Sequence, residues 1–133
     1  MTQAHLELVL PAVPDSIPAI RRAVADAAVE RHADPAAVDS VRLAVTEAVT
    51  NVVRHAYGDK GGDIRVAVEP RGDTLVVWVV DDGAGIVDAP FRDEGGYGLT
   101  LMRALSRSCD VSSAAAGGTS IRMVFSLAGE DER

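Results

Sequence analysis

Polar and apolar residues alternate through 5–10, with Leu6, Leu8 and Leu10 on one side, which is the period of a half-buried strand. Pro11 and Pro14 end it. Asp15 or Ser16 is expected to cap a helix that tolerates Pro18 in its first turn. Ile17, Ile20, Val24, Ala27 and Ala28 then recur at three and four residues, up to about His32. Asp34-Pro35 opens a second helix, a carboxylate cap followed by a proline at the first helical position. Its stripe of Val38, Val41, Val45, Ala48, Val49, Val52 and Ala56 predicts a continuous helix ending near Tyr57-Gly58.

After a turn at 59–62, residues 64–68 alternate as a strand, and Arg71-Gly72-Asp73 signals a hairpin. The nearly all-apolar run 75–80 reads as a central strand. Residues 81–97 are glycine-rich and keep no period, and so long a loop points to function rather than filler. Helical spacing returns at 99–105. Two strands follow, near 109–114 and 120–127, joined by a turn at Gly117-Gly118. The order β-α-α-β-β-loop-α-β-β implies an α+β fold, a two-layer sandwich whose mostly antiparallel sheet carries its helices on one face.

Composition narrows the class. A chain of 133 residues suits a single domain, with a core over about 5–127 and a polar tail at 128–133. Hydrophobic residues at 47% and charged ones at 25% are ordinary for a soluble globular protein. With 13 basic and 20 acidic side chains the net charge is −7, which disfavours direct contact with nucleic acid. It still allows a nucleotide, because a bound cation and backbone N–H groups can hold phosphates on an acidic protein. Cys109 is the one cysteine, so no intramolecular disulfide or Cys-rich zinc site forms, and a reducing, cytoplasmic setting is expected. No signal peptide and no membrane span are expected from the apolar runs present.

Four clusters could carry chemistry. Glu47, Asn51 and His55 sit four residues apart on the second helix, drifting by about 40° per step, so they form a polar stripe beside the apolar one. Asn51 offers a neutral oxygen to Mg²⁺, and Glu47 can orient a water or take a hydroxyl proton. Taken alone, this stripe also reads as a solvated helix face. Asp81-Asp82-Gly83-Ala84-Gly85-Ile86 follows an apolar strand, so Asp81 is placed to accept a hydrogen bond from an exocyclic amine such as that of adenine. Gly95-Gly96-Tyr97-Gly98-Leu99 opens a helix whose N-terminal N–H groups suit phosphate. Gly117-Gly118-Thr119 comes last, with Thr119 able to bond the Asp81 carboxylate or a bridging water. Neither a P-loop nor a Rossmann glycine fingerprint is present.

In this order the four clusters resemble the GHKL ATPases, a superfamily with a Bergerat-type (histidine-kinase-like) ATP-binding fold. Their N box resembles Glu47-Ala48-Val49-Thr50-Asn51, their G1 box residues 81–85, and their G2 box residues 96–99. The extension of the N box from Thr46 to His55 and Tyr57 is most similar to the anti-sigma factor serine/threonine kinases. That resemblance implies a site for ATP or ADP with Mg²⁺, in which Glu47 is the general base, Asn51 the metal ligand and Asp81 the partner of the adenine amine. It places His55, Gly83, Gly85, Ile86, Gly96, Tyr97, Gly98, Leu99 and Thr119 around the nucleotide as well. Arg54 lies at the pocket edge with no assigned role, and Arg92 falls in the lid. The implied partners are a small Ser- or Thr-bearing anti-sigma antagonist, a sigma factor, and a second copy of the chain in a homodimer. Two other readings stay open from the residues: a nucleotide-binding regulator without turnover, and a stand-alone histidine-kinase-like ATPase domain.

Overall fold

The computed structural model describes residues 6–57, 61–83, 98–113 and 117–128. The elements are β1 (Leu6–Pro11), α1 (Ser16–Glu30), α2 (Pro35–Asn51), a π-helical turn (Val52–Ala56), β2 (Asp63–Arg71), β3 (Thr74–Asp81), α3 (Gly98–Leu105), β4 (Ser108–Ser113) and β5 (Thr119–Ser126). The strands form one sheet in the order β1-β2-β3-β5-β4, with every neighbouring pair antiparallel. β3 is central, as its apolar run predicts, and Leu75, Val77 and Val79 are fully buried. These side chains meet Ile20, Val24, Val41, Val45 and Val49 from α1 and α2 in one core, so the helices cover a single face. The α+β two-layer sandwich expected from the pattern is the observed fold.

Helix ends depart from expectation in instructive ways. Asp15 is the N-cap of α1, but its side chain makes no capping hydrogen bond, and Ser16 is buried inside the helix. The entry is tied instead by backbone bonds from Ser16 to Val13 (2.9 Å) and from Ile17 to Pro14 (3.1 Å). Asp34 likewise precedes Pro35 without a side-chain cap. α1 stops in a Schellman arrangement: His32 takes a left-handed φ of 64°, while His32 N–H bonds Val29 O and Ala33 N–H bonds Ala28 O.

The second helix does not run regularly to Tyr57. It is α-helical to Asn51 and then widens into the π turn. Single π turns inside helices recur at functional sites. Here the change of winding falls directly after Asn51. It re-aims the carbonyls and side chains that follow, while Val52 and Ala56 stay in the core.

Candidate functional site

α2 carries Glu47 and Asn51 on its last turns because Ala44, Val45, Ala48 and Val49 hold the opposite face in the core. Both polar side chains are half-buried, and among the described residues no hydrogen bond engages either one. The first residue of α3 comes up against them. A methyl group placed on Gly98 would lie 2.9 Å from Asn51 Nδ2 and 3.4 Å from Glu47 Oε1. The backbone at the start of α3 therefore sits close against the ends of the two side chains. Leu99, beside it, packs against the core.

The second cluster lies where β3 leaves the sheet. Asp81 is 4% exposed and pairs in register with Thr119 of β5, itself 4% exposed. Asp81 Oδ1 accepts a 2.8 Å hydrogen bond from Gly83 N–H, and the Thr119 N–H also supports the carboxylate. Burial pushes the carboxyl of Asp81 above its ordinary value, and the neighbouring Asp82 charge adds to this. The N–H bonds from Gly83 and Thr119 work in the opposite direction. A buried carboxylate held, among the described residues, by two backbone donors has acceptor capacity for a third, which suits an amine.

Close approach links this strand end to the π turn. Gly83 lies so near Ala56 that any side chain at 83 would overlap the Ala56 carbonyl. Gly118 is held as tightly, with a left-handed φ of 98° and a would-be Cβ 2.5 Å from Asp81 O. Asp81, Gly83, Gly118, Thr119 and the π turn therefore form one packed unit at the C-terminal end of α2.

Glu47, Asn51 and Gly98 thus meet in one cluster, and Asp81, Gly83 and Thr119 in another. His55 and Arg54 are exposed in the π turn. The four-residue step from Glu47 to Asn51 lies within α2, whereas the step to His55 crosses the π turn. Among the described residues no hydrogen bond or ion pair joins His55 to either cluster. Gly85, Ile86, Gly96, Tyr97 and Arg92 lie outside the described residues. A contributor that sequence spacing did not reveal is the Tyr57 hydroxyl, which donates to Asp63 O (2.7 Å) and accepts from Asp82 N–H (2.8 Å). Sequence reading used Tyr57 only as a helix end and part of a motif. Its partners are backbone atoms, which leave no trace in the side-chain pattern.

The donor set fits a magnesium nucleotide. Mg²⁺ keeps most of its waters and needs few protein ligands, so one amide oxygen and a nearby carboxylate suffice. Among the described residues no group of three or more His, Cys, Asp or Glu could form an all-protein metal cage. A helix start beside Asn51 and a buried carboxylate would suit the phosphate and base ends of the same ligand.

An α+β sandwich with this helix-borne Glu–Asn pair and strand-end Asp defines a nucleotide-binding domain of the histidine-kinase type. Residues 10–125 match the model of the histidine kinase-like ATPase domain, and the chain belongs to that family, within its anti-sigma factor kinase branch. Membership implies nucleotide binding. The chain is 32% identical over 97 residues to an anti-sigma F factor of Clostridium acetobutylicum, a match covering 65% of this chain and 68% of that one. It is 33% identical over 100 residues to the anti-sigma F factor of Pasteuria penetrans, covering 65% and 67%.

Among solved structures, the RsbU and RsbW domains of a Mycobacterium tuberculosis protein superpose with a TM-score of 0.74 at 25% identity. That match covers 92% of this chain and 32% of the other. A chain of the SiaB–SiaC complex from Pseudomonas aeruginosa shares the fold, with a TM-score of 0.72, 19% identity, and coverage of 90% and 88%. No helix among the described residues is long and apolar enough to cross a membrane.

Proposed function

We propose that the chain is a partner-switching protein kinase that binds Mg-ATP between Asn51, the start of α3 and Asp81, and phosphorylates a Ser or Thr of an anti-sigma antagonist. The observation that carries this reading is the meeting of Glu47, Asn51 and Gly98, which puts a carboxylate, a side-chain amide and a helix start at one point. Bound Mg²⁺ would neutralise charge on the phosphate oxygens. Asn51 would hold that ion through its side-chain oxygen, and the N–H groups opening α3 would orient the phosphates. Asp81 would accept from the adenine amine, with Thr119 and Gly83 fixing the carboxylate. Glu47 would take the proton of the partner's hydroxyl as its oxygen forms a bond to the γ-phosphorus and the bond to the ADP oxygen breaks.

Support for the partner comes from the named relatives, which are anti-sigma F factors, and the same reading gives the chain a sigma factor as its second partner. Gly85, Ile86, Gly96, Tyr97, Leu99 and His55 complete the pocket in this reading, and a homodimer is the working assembly.

Incubation with γ-labelled ATP, Mg²⁺ and the antagonist tests it. Wild type should label the partner on Ser or Thr. Glu47→Ala should reduce transfer by about 10²–10⁴-fold, the size of a general-base contribution, while ADP binding stays close to wild type. Tight nucleotide binding by wild type with no transfer to its true partner would replace the kinase by a non-catalytic regulator.

A further inference from the structure

We propose that the Tyr57 hydroxyl is a positioning group that sets the base selectivity of the nucleotide site. The inference rests on the reading of Asp81 as the acceptor of the adenine amine, and it adds a residue which that reading does not contain.

One oxygen atom ties three elements together. Tyr57 follows the π turn directly, and its hydroxyl donates to the carbonyl of Asp63 at the start of β2 (2.7 Å). The same oxygen accepts the Asp82 N–H at the end of β3 (2.8 Å). The ring is aimed by packing, since it occupies the space in which any side chain at 62 would stand. Gly62 is in turn anchored, its carbonyl receiving the Ala12 N–H at 2.8 Å. The hydroxyl is thus held from behind and is not free to follow a moving loop.

The Asp82 N–H belongs to the peptide group immediately after Asp81. Fixing that peptide fixes the direction in which the chain leaves Asp81, and with it the location of Gly83. The N–H of Gly83 is the 2.8 Å donor to Asp81 Oδ1, so the carboxylate is oriented by a donor that the Tyr57 hydroxyl places. Without the hydroxyl, the Asp82 N–H and the Asp63 carbonyl lose a partner, and the 81–83 turn can relax. A displacement of the carboxylate by a fraction of an ångström leaves the phosphate end of the site, at Asn51 and the start of α3, as it was. What the carboxylate loses is the alignment with an exocyclic amine. Adenine presents an amine to this carboxylate, whereas hypoxanthine presents a carbonyl oxygen that repels it. The ADP to IDP affinity ratio therefore reads the position of Asp81 directly.

The test is calorimetric titration of wild type, Tyr57→Phe and Gly62→Ala with ADP and with IDP, each with Mg²⁺, and circular dichroism to verify folding. Gly62→Ala moves the ring from behind and leaves its chemistry unchanged, so it stands in if Tyr57→Phe fails to fold. Wild type should prefer ADP. In either variant ADP should weaken by about threefold or more, the scale of one net hydrogen bond, while IDP changes by less than about twofold.

Equal weakening of both nucleotides would mean that Tyr57 only stabilises the fold, and an unchanged ADP to IDP ratio in folded variants would mean that it does not position Asp81. Either result overturns the proposal and leaves the Asp81 reading standing. A wild type that binds ADP and IDP alike removes the Asp81 reading itself, and this proposal with it.

Discussion

Binding and folding make opposite demands on Asp81. A carboxylate that is to receive an amine must be charged and shielded from water, and burial raises the free energy of that charged form. Its carboxyl accordingly titrates above the ordinary value of 3.8. The folded chain then holds this proton at pH values where the unfolded chain has released it. The stabilisation is fully present below the ordinary value and is lost as pH rises through the raised one. Asp81→Asn lacks this titration. The melting temperature of wild type relative to Asp81→Asn should therefore rise as pH is lowered from 7 towards 4, followed by differential scanning calorimetry. A difference that falls over that range would contradict the burial argument. Tyr57 shows the same tension: burial raises its phenol, while the hydrogen bond from Asp82 N–H works against the shift.

At the scale of elements, the π turn and the end of β3 are locked by the absence of a side chain at 83. Gly83→Ala would drive a methyl into the Ala56 carbonyl, and neither backbone can move without disturbing the core beneath Val52 and Ala56. The substitution should cost about 1–3 kcal/mol, measured as a lower urea midpoint with an unchanged slope. A midpoint equal to wild type would mean that the two segments are not in contact.

Legibility in the sequence follows the same division. α2 and β3 were readable because their apolar periods are long and strict, and Asp81 because it ends such a run. The π turn was not, since five residues that keep Val52 and Ala56 inward satisfy an α-helical period as well as a wider one. The pattern puts Thr119 in a turn, whereas it lies in β5 opposite Asp81, a one-residue shift at a strand end that pattern alone does not resolve. Glu47 and Asn51 were legible as a pair, but what gives them weight is Gly98, which the fold carries over them from the far side of the 84–97 segment.

For the molecule as a whole, the net charge of −7 sets a condition on its ligand. A nucleotide adds further negative charge to an acidic chain, and α3 supplies only partial positive charge at its start. In the proposed reading a divalent cation makes up the difference, so chelating Mg²⁺ with EDTA should weaken ADP binding by about tenfold or more. Sheet and helices then act as one frame. In the proposed reading α2 and α3 would form the metal and phosphate end and β3 and β5 the base end, with the π turn and Tyr57 between α2 and the end of β3. We propose that these two ends grip one magnesium nucleotide. Isothermal calorimetry of ADP with Mg²⁺ on wild type, Asn51→Ala, Asp81→Asn and Glu47→Ala tests it most directly. The account predicts binding by wild type, its loss on substitution of Asn51 or Asp81, and its retention by Glu47→Ala. Binding that survives the Asn51 and Asp81 substitutions unchanged would contradict it.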